Sequence, residues 1–206
     1  MQIKTVVIWT AMTGSALAMN LARFEFRHLA FPLLLLLLPF LAAPARLLTE
    51  RLAWPPRGIR ELLLLLTAIV VFFPPGFFFY HLAWLDHAVA MPAAAALVDA
   101  ALKSLMLALT AAVPEEFFFR GWLQETALAR HDKPAILFIT RKNLFSSALF
   151  GLAHGIAFLN PLSAATFFPS LLFGWLTERS GGSIVPAVIL HAVSNLVLFL
   201  LLAFLA

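Results

Sequence analysis

Apolar residues run through this chain in stretches too long for a soluble core, and polar residues punctuate them at short intervals. Ile3 to Leu21 is apolar behind a single Lys4. Ala16-Leu17-Ala18 resembles a signal-peptidase site, but the charged segment before it is thin and further spans follow, so an uncleaved first span is expected. After the short loop Arg23–His28, Leu29 to Leu48 is nearly all Leu, Phe, Ala and Pro, and long enough to cross a bilayer. Glu61 to Trp84 is a third span, in which Pro74-Pro75-Gly76 predicts a break or kink. Asp86 and His87 follow in a loop without Lys or Arg. Met91 to Arg130 is too long for one ordinary crossing at about 1.5 Å of rise per residue, and Pro114 either kinks one helix there or divides two. Pro134 to Thr140 is too short to cross and reads as lying at the membrane surface. Asn143 to Phe158 is a short span, Asn160-Pro161 breaks it, and Ser163 to Thr177 returns. Glu178 to Ser183 is a turn with Gly at the helix stop, and Ile184 to Ala206 is the last span.

The pattern predicts an all-α, polytopic transmembrane helical bundle of about seven to eight spans. It divides into amino-terminal helices (1–90) and a helical core (91–206) within one membrane domain. Composition agrees: of 206 residues 63% are hydrophobic and 12% charged, outside the range of soluble globular domains. The net charge of +4 does not signal nucleic acid, because the basic residues sit in short loops, where they set topology. With one crossing over Met91–Arg130, Lys4, Arg46, Arg51, Arg57, Arg60, Arg130, Lys133, Arg141, Lys142 and Arg179 share the cytoplasmic side, and Arg23 and Arg27 fall outside. That bias favours seven spans, with the amino terminus inside. No Cys is present, so disulfides, thiolate metal sites and a Cys nucleophile are excluded.

Against this background the polar residues at depth stand out. Pro114-Glu115-Glu116-Phe117-Phe118-Phe119-Arg120 places two carboxylates and a guanidinium in an apolar helix, where each isolated charge is costly. Glu116 and Arg120 are four apart and can pair. Glu115 points about 100° away, without a partner on its own helix. His154 lies in Phe150-Gly151-Leu152-Ala153-His154-Gly155, and His191 and Asn195 share one helix face. Helical rise puts Glu115 roughly 22 Å from Arg130, His154 roughly 18 Å from Lys142, and His191 roughly 12 Å from Ser183. Three helices can therefore bring these groups to one cavity inside the membrane, with Phe150 walling it beside His154. Gly151 and Gly155 form a small face that permits close helix approach. Asp99 and Lys103, four apart, are expected to pair structurally, and His28, His81, His87 and His131 to be structural or interfacial. A carboxylate in a low-dielectric pocket can act as a general base on water, an imidazole can hold that water, and a His–Asn face can stabilise an oxyanion. The same groups can also ligate zinc, although no His-Glu-x-x-His is present. The sequence lacks the Gly-x-Ser-Gly of serine intramembrane proteases and the paired span aspartates of aspartyl ones.

Glu115-Glu116-x-x-x-Arg120, Phe150-x-x-x-His154 and His191-x-x-x-Asn195, in that order, resemble the three motifs of the CPBP family, the CAAX-processing and bacteriocin-processing (Abi, Rce1-like) intramembrane proteases. The resemblance covers roughly Asp99 to Phe204. It implies a glutamate-type intramembrane endopeptidase without a cofactor or metal. Glu115 would activate water, His154 position it, and His191 and Asn195 stabilise the oxyanion. Glu116 and Arg120 would be supporting residues. The partners implied are the bilayer and a membrane-associated protein or peptide, in a multi-pass protein of a prokaryotic inner membrane. Relatives cleave prenylated CAAX tails, mature peptides, or serve in sorting and immunity; a compact prokaryotic member points away from prenylated substrates. The rival readings are a non-catalytic scaffold or immunity protein, a zinc-dependent protease using the same cluster, and a small proton-linked carrier, against which the lack of an internal repeat counts.

Overall fold

The computed structural model describes residues 3–23, 25, 27–55, 57–85 and 88–205. Helices account for most of them, as α1 (Ile3–Leu21), α2 (Arg27–Leu37), α3 (Ala45–Thr49), α4 (Ile59–Ala83), α5 (Ala94–Ala127), α6 (Arg141–Ala157), α7 (Phe167–Arg179) and α8 (Val185–Leu202). All-α architecture follows from the long apolar runs, since a backbone in hydrocarbon must satisfy its own hydrogen bonds. α4, α5 and α8 are long and apolar enough to cross a membrane. Seven to eight spans would require α1, α2, α6 and α7 to cross as well. Leu63, Leu64, Phe72, Leu105, Met106 and Leu109 each stand more than half exposed, an apolar surface suited to lipid rather than water.

Several elements depart from the sequence expectation. The run Leu29–Leu48 is not one helix. α2 ends at Leu37, a 3₁₀ turn covers Leu38–Leu41 around Pro39, and α3 starts after Pro44. Pro39 and Pro44, 5 residues apart, each lack the N–H donor that a continuing α-helix would need. In α4, by contrast, Pro74 and Pro75 lie inside a continuous helix. Proline's fixed φ is helical, so the cost there is confined to carbonyls that lose N–H partners. α5 is also continuous through Pro114, but it widens to π-helical i→i+5 bonding at Ala108–Ala112 and again at Phe117–Ala127. Pro134–Ile136 and Ile139–Thr140 form a small antiparallel hairpin, a β element that the all-α reading did not contain. Asp86 and His87 lie outside the described residues, as do the side chains of Arg27 and His28.

Packing centres on α5, where every residue from Glu116 to Gln124 is buried. Phe117, Phe118, Phe119 and Trp122 form one core with Ile8 and Met12 of α1, Leu35 of α2 and Phe150 of α6. Trp9 of α1 donates to the Leu149 carbonyl (3.3 Å) and Asn20 to that of Ala157 (3.0 Å), so α1 lies along α6. Gly151 faces the turn before α7, where an added Cβ would meet the Ala164 carbonyl at 2.7 Å. The small face predicted around His154 is thus used for close backbone approach. Asp99 and Lys103 pair at 2.7 Å on the exposed surface.

The basic loops assigned to one side of the membrane gather at one end of the bundle. Lys4 and Arg130 line a common pocket there. Arg51 donates to the Glu125 carbonyl at 3.3 Å and accepts the Ile184 N–H at its own carbonyl at 2.9 Å. Lys142 pairs with Glu125 (3.0 Å) and Asp132 (3.3 Å). Beside them Glu178 accepts from Thr140 and, at 3.3 Å, from Gln124. Burial pushes the Glu178 carboxyl up to about 7, against the opposing pull of the Thr140 hydroxyl and the Lys142 ammonium.

Between its ordinary pKa and about 7 the folded state therefore holds a proton that the unfolded chain releases. Stability from this group is complete at low pH and is lost as pH rises through about 7. Thermal unfolding in detergent should occur at a higher temperature at pH 5 than at pH 8, and Glu178→Gln should flatten that slope.

Candidate active site

Glu115 and Glu116 are adjacent on α5 and meet opposite fates. Glu116 is wholly buried, with Oε2 3.2 Å from Arg120 Nε in an ion pair aligned too poorly for a hydrogen bond. Its Oε1 accepts from His191 Nδ1 at 3.0 Å. Arg120 is equally buried and spends its remaining donors on hydroxyls: Nη1 to Ser146 Oγ at 3.1 Å and Nη2 to Ser170 Oγ at 2.7 Å. Ser146 in turn donates to the Phe119 carbonyl (2.8 Å), and the guanidinium lies 5.4 Å from the centre of the Phe150 ring. His191 stacks on Phe173 with ring centres 4.9 Å apart. One cation and one carboxylate are thereby neutralised at the junction of α5, α6, α7 and α8.

Glu115 faces the other way, into a cavity of about 330 Å³ walled by α1, α2, α5 and α6. His154 lines the same cavity, with Nε2 3.9 Å from Glu115 Oε2. Its Nδ1 is 3.0 Å from the Phe150 carbonyl, which can only accept, so Nδ1 carries a proton, and in the neutral imidazole Nε2 then presents a lone pair. The Phe150 and His154 rings pack at 4.3 Å, holding the imidazole in place. The remaining walls are largely apolar, including Met12, Met19, Phe31, Leu107 and Phe119.

The structure thus brings Glu115 and His154 together, and separately Glu116, Arg120 and His191. It does not bring all of them to one cavity. No residue of α8 lines the space in front of Glu115, so His191 and Asn195 lie outside it. The reason is the orientation of α8: its His191 face is taken up by Glu116 and Phe173. Sequence reasoning missed Ser146 and Ser170 as the anchors of Arg120. Their only signal was a small hydroxyl within an apolar helix. It also missed α1, which supplies Met12, Thr13, Ala16, Met19 and Asn20 to the cavity. Among the described residues no group of three or more His, Asp or Glu is arranged to hold a metal ion.

A family profile described as "Type II CAAX prenyl endopeptidase Rce1-like" matches residues 97–197, which carry Glu115, Glu116, Arg120, His154, His191 and Asn195. The chain belongs to the CPBP family. The match spans α5 through most of α8 and leaves α1 to α4 outside it. Membership in the CPBP family implies a protease, and with the apolar helices it implies an integral membrane protein. No curated protein and no solved structure matches the chain.

Breaking a buried ion pair by removing one partner strands the other charge, typically at a cost of about 3–5 kcal/mol. Arg120→Met should therefore destabilise the protein by about that amount in a detergent unfolding titration. Exposed Lys103→Met should change stability little, by less than about 1 kcal/mol, as for other surface pairs.

Proposed function

We propose that the protein is a glutamate-type intramembrane endopeptidase in which Glu115 is the general base and His154 its partner on the attacking water. One observation carries the reading. Glu115 Oε2 and His154 Nε2, both hydrogen-bond acceptors when the imidazole is neutral, face each other at 3.9 Å inside a mostly apolar cavity. That gap is too long for a direct hydrogen bond, and two acceptors repel unless a donor lies between them. A water molecule donating one hydrogen to each satisfies both and turns its lone pair toward the cavity.

The chemistry follows from that placement. Glu115 takes a proton from the water as the oxygen bonds to the scissile carbonyl carbon, and the C=O electron pair moves onto the carbonyl oxygen. On collapse that pair returns and the C–N bond breaks. Glu115 passes its proton to the leaving nitrogen, giving one carboxylic acid and one amine. Glu116, Arg120 and the serine anchors fix the rotation of α5 so that Glu115 faces the cavity. His191 acts through Glu116, and Asn195 lies one turn further along the same face of α8. The substrate is an apolar stretch of a membrane-associated protein or peptide, matching the walls of the cavity, and the location is a prokaryotic inner membrane. A catalytic zinc usually takes three protein ligands, and the cavity offers one carboxylate and one imidazole, so a hydrolytic metal fits poorly.

The test is reconstitution into phospholipid vesicles with a solubilised membrane-protein fraction, followed by mass spectrometry of newly formed amino termini. Glu115→Gln should reduce their formation by roughly 10²–10⁴-fold, the usual worth of a positioned base, while membrane insertion and unfolding temperature persist. His154→Ala should do the same. Excess chelator should leave cleavage intact. Cleavage by Glu115→Gln at the parent rate would favour the scaffold reading, and activity lost to chelator and restored by zinc would favour the metalloprotease.

A further inference from the structure

Apart from the cavity in front of Glu115, the protein has a second recess, of about 420 Å³. It is lined by Lys4 and Thr5 of α1, by Trp122 and Thr126 of α5, and by Arg130 and His131 just beyond α5. Among the described residues no Asp or Glu lines it. The two carboxylates nearest to Arg130 in sequence, Glu125 and Asp132, are both drawn to Lys142, at 3.0 and 3.3 Å. Thr126 spends its hydroxyl hydrogen on the Gly121 carbonyl at 3.0 Å. Lys4 and Arg130 therefore present their charge to a hollow whose own lining supplies no anion.

The donor set selects the ligand. A guanidinium fork matches two oxygens of one phosphate, and an ammonium adds a point charge with rotatable donors. His131 adds a ring nitrogen, its imidazole set edge-on to Phe145 with centres 6.1 Å apart. The surroundings select the source. The loop-charge pattern assigns Lys4 and Arg130 to the cytoplasmic face, where anionic headgroups attract basic residues. Ala42 completes the wall, and its neighbour Leu41 stands 74% exposed, as do Ile3 (83%) and Val7 (59%) near Lys4. Apolar surface beside a cationic hollow suits a molecule with a phosphate at one end and acyl chains at the other.

We propose that this recess binds the phosphate of an anionic phospholipid headgroup, held by Arg130 and Lys4, with the acyl chains along the exposed apolar side chains beside it. The bound lipid ties the start of α1 to the end of α5. Both helices also wall the cavity in front of Glu115, so the lipid braces that cavity from a distance. Binding here does not depend on the endopeptidase reading. Lys4 lies outside the segment matched by the family profile, so the assignment comes from the recess and not from a motif.

The experiment uses the full-length protein in detergent, with binding read by native mass spectrometry and by unfolding temperature. The probes are short-chain phosphatidylglycerol, phosphatidylcholine of the same chain length, and inorganic phosphate. Phosphatidylglycerol should bind and raise the unfolding temperature, phosphatidylcholine should bind more weakly, and equimolar inorganic phosphate should not displace the lipid. Replacing both cations, Lys4→Gln with Arg130→Gln, should weaken phosphatidylglycerol binding on the order of tenfold or more, as expected for two basic residues at an anionic headgroup. The unfolding temperature without lipid should stay at the parent value, because both side chains are exposed. If the double variant proves unstable, Arg130→Gln alone carries the same test with a smaller loss. Arg46→Gln removes an exposed cation already paired with Glu50 and should leave binding unchanged. Parent-like lipid affinity in the Lys4/Arg130 variants, or an equal loss in Arg46→Gln, overturns the site. Equal affinity for phosphatidylcholine overturns the requirement for an anionic headgroup. Inorganic phosphate that binds as tightly and displaces the lipid overturns the lipid assignment in favour of a soluble phosphate.

Discussion

Neighbouring carboxylates on a helix enclosed by apolar side chains are tolerable only if each has its own reason to be charged. Here the buried Glu116–Arg120 pair supplies that reason for one of them. The guanidinium cannot shed its proton, so it must be matched by an anion and by acceptors for its remaining donors. Ser146, Ser170 and Glu116 reach it from three helices. Those bonds set the rotation of α5 about its axis. Once Glu116 is committed to the core, helical geometry turns Glu115 about 100° away and into the cavity. The placement of the free carboxylate is thus a consequence of how its neighbour is neutralised. Pairing of this kind contributes little net stability over an apolar core, but it penalises any other rotation of the helix heavily.

The parts of this arrangement that could be read from the residues are those governed by one-dimensional rules. Length and apolarity marked α4, α5 and α8, and the spacing of Glu116 and Arg120 gave their pairing. Lys4, Arg51, Arg130 and Lys142, four of the basic residues assigned to one side, lie near one another around Glu125 and Thr126. What was not legible depends on which helix stands beside which. Pro39 and Pro44 broke one apolar run while Pro74 and Pro75 left another continuous, and local sequence does not separate the cases. His191 and Asn195 are four apart on α8 as expected, but only the packing of α8 against Phe173 and Glu116 decides that neither lines the cavity in front of Glu115. Ser146 and Ser170 carry no pattern at all; they became informative only with a guanidinium between them.

The tautomer of His154 links the fold to the chemistry. Its Nδ1 is tied to a carbonyl of its own helix, one turn back, so the protonation pattern is set within α6 and needs no neighbour. In the neutral imidazole Nε2 is then left bare toward Glu115. On the proposed mechanism the two atoms at that separation hold the attacking water between them, and the apolar walls would exclude the competing waters that would loosen it. Glu115 and His154 are thereby preorganised on rigid helices, a condition under which fixed dipoles contribute most to a reaction.

The cavity also joins two regions of the chain with different origins in the argument. Its base and imidazole lie within residues 97–197, the span that carries the family pattern. Much of its wall comes from α1 and α2, through Met12, Ala16, Met19, Phe31 and Pro32. None of those side chains is a hydrogen-bond or ion-pair partner of Arg120 or its serine anchors, although Met12 and Phe31 pack into the same core as the α5 phenylalanines. Methionine suits such a wall, because its unbranched thioether adapts to irregular apolar shapes at small cost. On the proposed mechanism the charged axis of α5 would constrain where the water sits, and the amino-terminal helices which apolar segment can approach it. On that proposal, substitutions in α1 and α2 are the ones expected to exchange one membrane substrate for another while Glu115 keeps its role.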